Sequence, residues 1–166
     1  MAESIKTIVG EELNALRAAI ASNIMANGQN ASGRTIRSLR VESREDGGTL
    51  YGRAPFATME RGRKGGKVPR KFREIIYQWM MNKGIHGTPY QFKTTRPHKR
   101  SAQEAGDRTL AYFISEKIRK QGTKLFRDGG RADVYSNVTP TTLKAIRSRL
   151  LGIVNAEFKT VKLNKA

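Results

Sequence analysis

The sequence predicts an α+β fold in which about four helices pack on a small antiparallel sheet, within one domain spanning residues 1–166. Four segments place apolar residues at three- and four-residue steps, which puts these residues on one face of a helix. A further segment alternates apolar and charged residues and runs into Asp46-Gly47-Gly48, a sequence typical of a hairpin turn. These two patterns together predict a mixed fold.

The N-terminal part of the chain should contain a helix followed by a hairpin. The helix is expected over residues 3–27, and Asn27-Gly28 ends it because glycine tolerates the left-handed conformation found at helix termini. The hairpin is expected over residues 37–53. Leu39 and Val41 should face inward, because side chains alternate between the two faces of a strand.

The rest of the chain is predicted to be mainly helical. Arg53-Ala54-Pro55 opens a short helical turn that runs to Glu60. A short strand is possible at residues 133–136, and residues 159–166 form a tail whose last four residues, LNKA, should fray. Three further helices are predicted from their apolar stripes and from the capping residues at their ends: residues 71–83, 101–121 and 139–158.

Composition indicates the class of partner. The chain has 32 Lys and Arg against 14 Asp and Glu, a formal net charge of +18 and a pI near 10.7. A charge of this size favours polyanions: nucleic acid, acidic protein surfaces or anionic membrane. Because only 37% of the residues are hydrophobic, we expect partner chains to complete part of the apolar surface. There is no cysteine, which excludes disulfides, thiolate metal sites and a cysteine nucleophile.

A glycine-rich basic loop follows Glu60. Glycine and like charges should keep this loop flexible, so we expect it to become ordered only against DNA, an acidic partner surface or an adjacent subunit. The alternative is a solvated loop without a partner. Seven cations and no acid lie between its ends, and these are the candidate contact residues: Arg61, Arg63, Lys64, Lys67, Arg70, Lys71 and Arg73.

The residues that could carry chemistry are few. His86 and His98 lie in irregular sequence without metal-ligand spacing. The loop at residues 62–68 departs from the phosphate-binding pattern, because its spacing differs and no Ser or Thr follows the lysine. Glu60 follows an uncharged segment and is expected to be partly buried in an ion pair with Arg37 or Arg53. The sequence therefore predicts no enzyme activity, no catalytic residue, no metal site and no cofactor.

Aromatic residues could serve either packing or stacking. Trp79 shares helical spacing with Ile75, Ile76 and Met80, which predicts that it belongs to the core. Tyr90 and Phe92 lie in irregular sequence and could pack or stack on bases.

Several segments resemble those of the small head–tail connector and tail-completion proteins of tailed bacteriophages. The strongest is the run from Ala54 to Gly62, APFATMERG, in which an aromatic–alanine pair (Phe56, Ala57) precedes Glu60 and Gly62. The helix with Trp79 and the DVYSN segment with Tyr135 are similar to later elements of that family. The resemblance covers residues 30–158, and its motifs occur in the family's order.

The resemblance implies a non-enzymatic structural protein of the virion neck. Such proteins form rings of six or twelve copies between portal and tail, around the DNA channel, and contact portal or adaptor proteins and tail proteins. It also implies assembly in the bacterial host cytoplasm and a final location in the virion. The strong positive charge departs from the family's usual pattern and leaves open whether the channel lining is neutral.

A second function remains open from charge alone. The chain could be a small nucleic-acid-binding protein whose basic loops grip the phosphate backbone without reading the base sequence. A DNA-acting enzyme is a weaker third option. The N-terminal segment does not resemble a secretion signal, and no run approaches the ~18 apolar residues of a membrane span.

Overall fold

The computed structural model describes residues 4–93 and 99–160. These residues form two compact units. Unit 1 is drawn from Met1–Glu60 and Ala132–Ala166, and unit 2 from Arg61–Arg131, so that unit 2 is inserted into the sequence of unit 1. The described chain combines helices with an antiparallel sheet, as the α+β prediction requires.

The elements of the described chain follow one another in this order: α1 (Ile5–Ala26), α2 (Arg34–Arg37), β1 (Arg40–Arg44), β2 (Gly47–Tyr51), a 3-10 turn (Ala54–Ala57), α3 (Thr58–Arg61), α4 (Phe72–Lys83), α5 (Ala102–Gln121), α6 (Lys124–Arg127) and α7 (Thr139–Thr160). The four long helices lie where the apolar stripes predict them. The short helices α2 and α6 were not predicted, and they raise the helix count above four.

The core of unit 1 is built on α1. The predicted stripe of this helix also included Ile5, which is exposed, and its other six residues are buried: Ile8, Val9, Leu13, Leu16, Ile20 and Ile24. Leu39 and Val134 pack into the same cluster, and Ile146 of α7 lies against it. The side chain of Ser4 caps α1 by accepting a hydrogen bond from the Thr7 amide. Helical spacing and capping chemistry together therefore predict this helix well.

The hairpin packs directly on α1. Its register pairs Arg40 with Tyr51 and Arg44 with Gly47, so the turn is Glu45-Asp46 and the glycines that were expected to form it begin β2 instead. A Cβ at Gly48 would lie 2.6 Å from Val9 Cγ1 and 2.7 Å from Leu13 Cδ1. Gly48 therefore allows the strand to lie against the helix, which explains its presence better than turn geometry does.

Unit 2 has its own core between α4 and α5. Ile76, Met80 and Ala111 are buried at its centre. Arg108 of α5 reinforces the contact, since its guanidinium donates to Glu74 of α4 at 3.1 Å and lies over the Tyr77 ring. These helices pack on each other, whereas the sheet packs on α1 within unit 1.

The possible strand at residues 133–136 is a turn. The side chain of Asn23 donates to the Val134 carbonyl at 3.1 Å, and that of Asn27 donates to the Asp133 carbonyl at 3.3 Å. Both amides belong to the C-terminal end of α1 and its cap. They take up carbonyl groups that a sheet partner would otherwise bind, so the segment has no need of a strand partner.

Candidate functional site

Three of the motif residues come together in unit 1 around the carboxylate of Glu60. This side chain is 3% exposed. Its Oε1 accepts hydrogen bonds from the amides of Val134, Tyr135 and Ser136 at 2.9, 2.7 and 2.9 Å. The Ser136 hydroxyl donates to Oε2. The centres of the Phe56 and Tyr135 rings are 5.2 Å apart. Phe56, Glu60 and Tyr135 thus form one cluster.

The expected ion pair of Glu60 with Arg37 or Arg53 is wrong. Arg37 donates to the Ser32 carbonyl instead, and Glu60 takes consecutive backbone amides as partners. Such amides point their partial positive charges at a single oxygen and stabilise an anion without a countercharge. Burial raises the pKa of Glu60, but the hydrogen bonds from Ser136, Tyr135 and Val134 outweigh it and lower the pKa below its ordinary value. Glu60 is therefore held ionised as a structural acceptor.

The positive charge of the chain is concentrated in unit 2. Residues 61–131 contain 19 of the 32 Lys and Arg but only 5 of the 14 Asp and Glu. Unit 1 is much closer to balance, with 13 cations against 9 acids. A polyanion is therefore expected to be drawn to unit 2.

The predicted loop cations are mostly accessible. Six of the seven residues are exposed, and the exception, Arg63, is half-buried. The exposed ones are Arg61, Lys64, Lys67, Arg70, Lys71 and Arg73. They lie on the segment between Glu60 and α4 and on the first turn of that helix, so the structure keeps them on the surface where a polyanion could reach them.

The backbone of the loop is anchored, contrary to the expectation that it needs a partner to become ordered. The Arg63 amide donates to the Thr123 hydroxyl at 2.9 Å, and the Thr123 amide returns a bond to the Arg63 carbonyl at 2.9 Å. The Gly66 amide donates to the Arg119 carbonyl at the end of α5. A Cβ at Gly62, whose φ is 69°, would lie 2.5 Å from the Phe126 amide nitrogen. Gly62 therefore permits close packing and does not mark a flexible loop.

Two of the loop cations have partners within unit 2. Arg63 donates to the Lys67 carbonyl at 2.6 Å and lies over the Phe72 ring. Arg73 lies 4.6 Å from the centre of the Tyr112 ring. Arg63 consequently holds the loop in shape, while the exposed lysines remain the better candidates for contact with a partner.

Arg73 also lines an open cleft of about 530 Å³ on unit 2. Tyr90, Phe92 and Tyr112 line the same cleft, and the rings of Tyr90 and Phe92 are 5.2 Å apart. Arg100 and Arg108 contribute the remaining positive charge, but both pair with Glu104. The cleft thus combines aromatic rings with cations that are partly neutralised.

The prediction that Trp79 belongs to the core is wrong. It is 40% exposed, and its neighbour on the same face, Ile75, is 51% exposed, whereas Ile76 and Met80 are buried against α5. The α4 stripe is wider than the face that α5 covers. Trp79 and Ile75 instead line an apolar groove of about 670 Å³, together with Ile76, Ile114, Lys117, Ile118, Gly122, Thr123, Lys124, Leu125 and Arg127. We call this the unit 2 groove.

A second buried carboxylate, Asp107 of α5, was not singled out from the sequence. Its Oδ1 accepts from the Gly87 amide at 2.7 Å and from the Gln103 side chain at 2.9 Å, and its Oδ2 lies 3.3 Å from His86 Nδ1. Burial raises the pKa of Asp107, but these hydrogen bonds outweigh it and lower the pKa below its ordinary value. Asp107 therefore holds His86 and Gly87, which follow α4, in place. His86 is exposed, and its contact with Asp107 is structural.

Comparison with protein-family models, with curated proteins and with solved structures found no match to this chain. No group of three or more His, Asp or Glu side chains suited to a metal ion occurs within residues 4–93 and 99–160. Over the same part of the chain, no helix has the length and apolar character needed to cross a membrane.

Proposed function

We propose that the chain is a non-enzymatic structural subunit of a bacteriophage virion neck, forming a ring between portal and tail around the DNA channel. The ring would hold six or twelve copies, assembled in the host cytoplasm, and would contact portal or adaptor proteins and tail proteins. The order of its sequence motifs supports this proposal. So does the convergence of Phe56, Glu60 and Tyr135 on one cluster, which gives the motif residues a common structural role.

The observation that carries the proposal is the uncovered apolar surface of α7. Leu143, Leu151, Val154 and Phe158 are all exposed, and they fall within about 80° of arc at 100° per residue. An exposed apolar face of this kind on a charged chain indicates an interaction surface. A ring subunit needs such a surface, because each copy must bind two neighbours.

The charge of unit 2 suits a position beside DNA. Its exposed lysines could neutralise phosphates and release counterions, without any contact that reads base sequence. The same charge would equally serve an acidic neighbour in the neck. In both cases the loop acts as a preformed basic surface, since its backbone is already anchored by Thr123 and Arg119.

Native mass spectrometry with negative-stain electron microscopy tests the ring. We expect the purified chain, alone or with portal and tail proteins of the same virus, to give closed rings of six or twelve copies. A chain that keeps the mass of one copy at high concentration, and with those proteins present, would refute the proposal.

The alternative is a small nucleic-acid-binding protein, and it is favoured by the excess of 14 cations in residues 61–131. Combined Lys64→Gln, Lys67→Gln and Lys71→Gln changes should weaken binding to double-stranded DNA. They should also lower the slope of its salt dependence by about 0.9 for each phosphate that the protein no longer neutralises. Lys6→Gln, Arg17→Gln and Arg34→Gln in unit 1 make the matched control, with the same change of charge. A monomer that binds DNA tightly through the loop would favour the alternative. If the two triple variants weakened DNA binding equally, the loop would have no special role in it.

A further inference from the structure

The unit 2 groove presents an apolar floor with a cationic rim. Its lining includes the apolar side chains of Ile75, Ile76, Trp79, Ile114, Ile118 and Leu125. No carboxylate occurs among its described lining residues, and three cations do: Lys117, Lys124 and Arg127. Asp128 pairs with Lys124, and the Arg127 guanidinium donates to the Gln121 side chain. An occupant of this groove should therefore be apolar and should carry no positive charge on the face that enters.

The C-terminal half of α7 has the pattern that such a groove accepts. Leu151, Val154 and Phe158 occupy positions i, i+3 and i+7, the spacing of the anchors by which an amphipathic helix enters an apolar groove. They are 50%, 43% and 73% exposed, so unit 1 itself leaves them available. At a rise of 1.5 Å per residue the three anchors span about 10 Å, or two helical turns.

The distribution of charge favours the C-terminal half of α7 over its N-terminal half as the occupant of the unit 2 groove. In the N-terminal half of α7, Arg147 lies within the stripe and Lys144 lies at its edge, where they would meet the cations of the groove rim. Residues 150–158 contain no cation, and their single charged residue is Glu157. Arg149 points elsewhere, since its guanidinium pairs with Glu11 and Glu12 of α1.

We propose that the unit 2 groove of one copy receives the C-terminal half of α7 from a second copy of this chain. The inference rests on the proposed function, because it assigns the two surfaces by which successive ring subunits bind. Groove and helix are different patches, so every copy offers one of each and the contact can repeat from subunit to subunit until the ring closes. Phe158 is the most exposed anchor, and Trp79 is the groove residue best suited to meet it.

Two single variants test the contact. Ile75→Glu places a charge in the groove, and Phe158→Glu places one on the helix, both at positions exposed enough to leave the fold intact. Each should weaken self-association by at least about thirtyfold, the effect of losing one interface hot spot. Met25→Glu is the control, because Met25 is an exposed apolar residue of α1 outside both patches, and it should assemble as the unchanged chain does.

Mixing the two variants gives the sharpest result. The Phe158→Glu copy keeps its groove and the Ile75→Glu copy keeps its helix, so one intact contact can form between them. We expect each variant alone to have the mass of one copy and the mixture to have the mass of two. A misfolded variant could not regain binding in the mixture. A mixture that stays at the mass of one copy, or variants that still form rings, would overturn the inference.

The sole tryptophan supplies an independent signal. Burial of Trp79 by a second copy should shift its fluorescence to shorter wavelength as the concentration of the unchanged chain rises, and Phe158→Glu should abolish the shift. If rings form without the shift, the inference fails while the proposed function stands. If the chain stays a single copy under all conditions, both fail.

Discussion

Replacing Glu60 should reveal how much of unit 1 depends on one carboxylate. In Glu60→Ala, three backbone amides lose their acceptor. Leaving a buried donor unsatisfied costs about 1–3 kcal/mol. The Val134 amide is buried, while the bonds of Tyr135 and Ser136 are only partly buried and water can replace part of their loss. We therefore count about 2 kcal/mol for the first and about 1 kcal/mol for each of the others, a total of about 4 kcal/mol.

Urea unfolding followed by circular dichroism at pH 7 measures this loss. Glu60→Gln should cost less than Glu60→Ala, because its carbonyl still accepts the amides, although a neutral acceptor binds them about half as strongly. Glu45→Ala removes an exposed carboxylate whose pair with Lys6 is long, at 3.7 Å, and should change stability by less than about 0.5 kcal/mol. A Glu60→Ala protein within about 1 kcal/mol of the unchanged chain would refute the reasoning.

The pH dependence provides a second measurement on the same residue. Because the fold lowers the pKa of Glu60 below its ordinary value of 4.5, the unfolded chain binds this proton more readily. The contribution of Glu60 is therefore fully present above pH 4.5 and is lost as the pH falls through the lower pKa of the folded state. Acid unfolding of Glu60→Gln should lack this component. Identical pH profiles for the two proteins would contradict the assigned hydrogen bonds.

Two further predictions compare neighbouring or matched positions by thermal or urea unfolding. Met80→Ala should lower the free energy of unfolding by about 2–5 kcal/mol, because Met80 is fully buried. Trp79→Ala should cost less than a buried aromatic residue would, for which the loss is about 3–5 kcal/mol. If Trp79→Ala cost more than Met80→Ala, Trp79 would have to be covered. Gly106→Ala should destabilise by about 1–3 kcal/mol, since its Cβ would clash with the Thr88 carbonyl, whereas Gly152→Ala, with open space around it, should stabilise α7 by about 0.5–1 kcal/mol. Equal effects at the two glycines would contradict the packing of α5 against residues 87–89.

Local patterns predicted most of the helices correctly. The apolar stripe of α1, apart from Ile5, is a short-range feature, and so is the capping residue at the start of α5, which is Ser101. Both were confirmed in place. The α4 stripe was harder to interpret, because Ile75 and Trp79 have the same i, i+4 spacing as Ile76 and Met80. Which pair is covered depends on where α5 lies, and spacing within one helix carries no information about its neighbour.

The candidate site shows the same limit. The sequence indicated that Glu60 would be partly buried and paired, but its partners are amides 74 to 76 residues away, which no local pattern specifies. The glycines of the basic loop were interpreted as flexible. Gly62 and Gly65 instead lie against backbone atoms of residues 120–126, and a glycine that permits close approach looks the same in sequence as one in a mobile loop.

The insertion of unit 2 between Glu60 and Val134 has a consequence for folding order. The hydrogen bond between these residues closes a loop that contains all of residues 61–131. If that loop is a random coil, its closure costs chain entropy of about 4 kcal/mol, from the logarithm of its length. A folded unit 2 fixes the separation of its own ends, so that residues 61–131 no longer count as free chain in this closure. Cotranslational folding of residues 61–131 would thus prepare the two halves of unit 1 to meet, and damage inside unit 2 would be felt as lower stability in unit 1 through the connectivity of the chain alone.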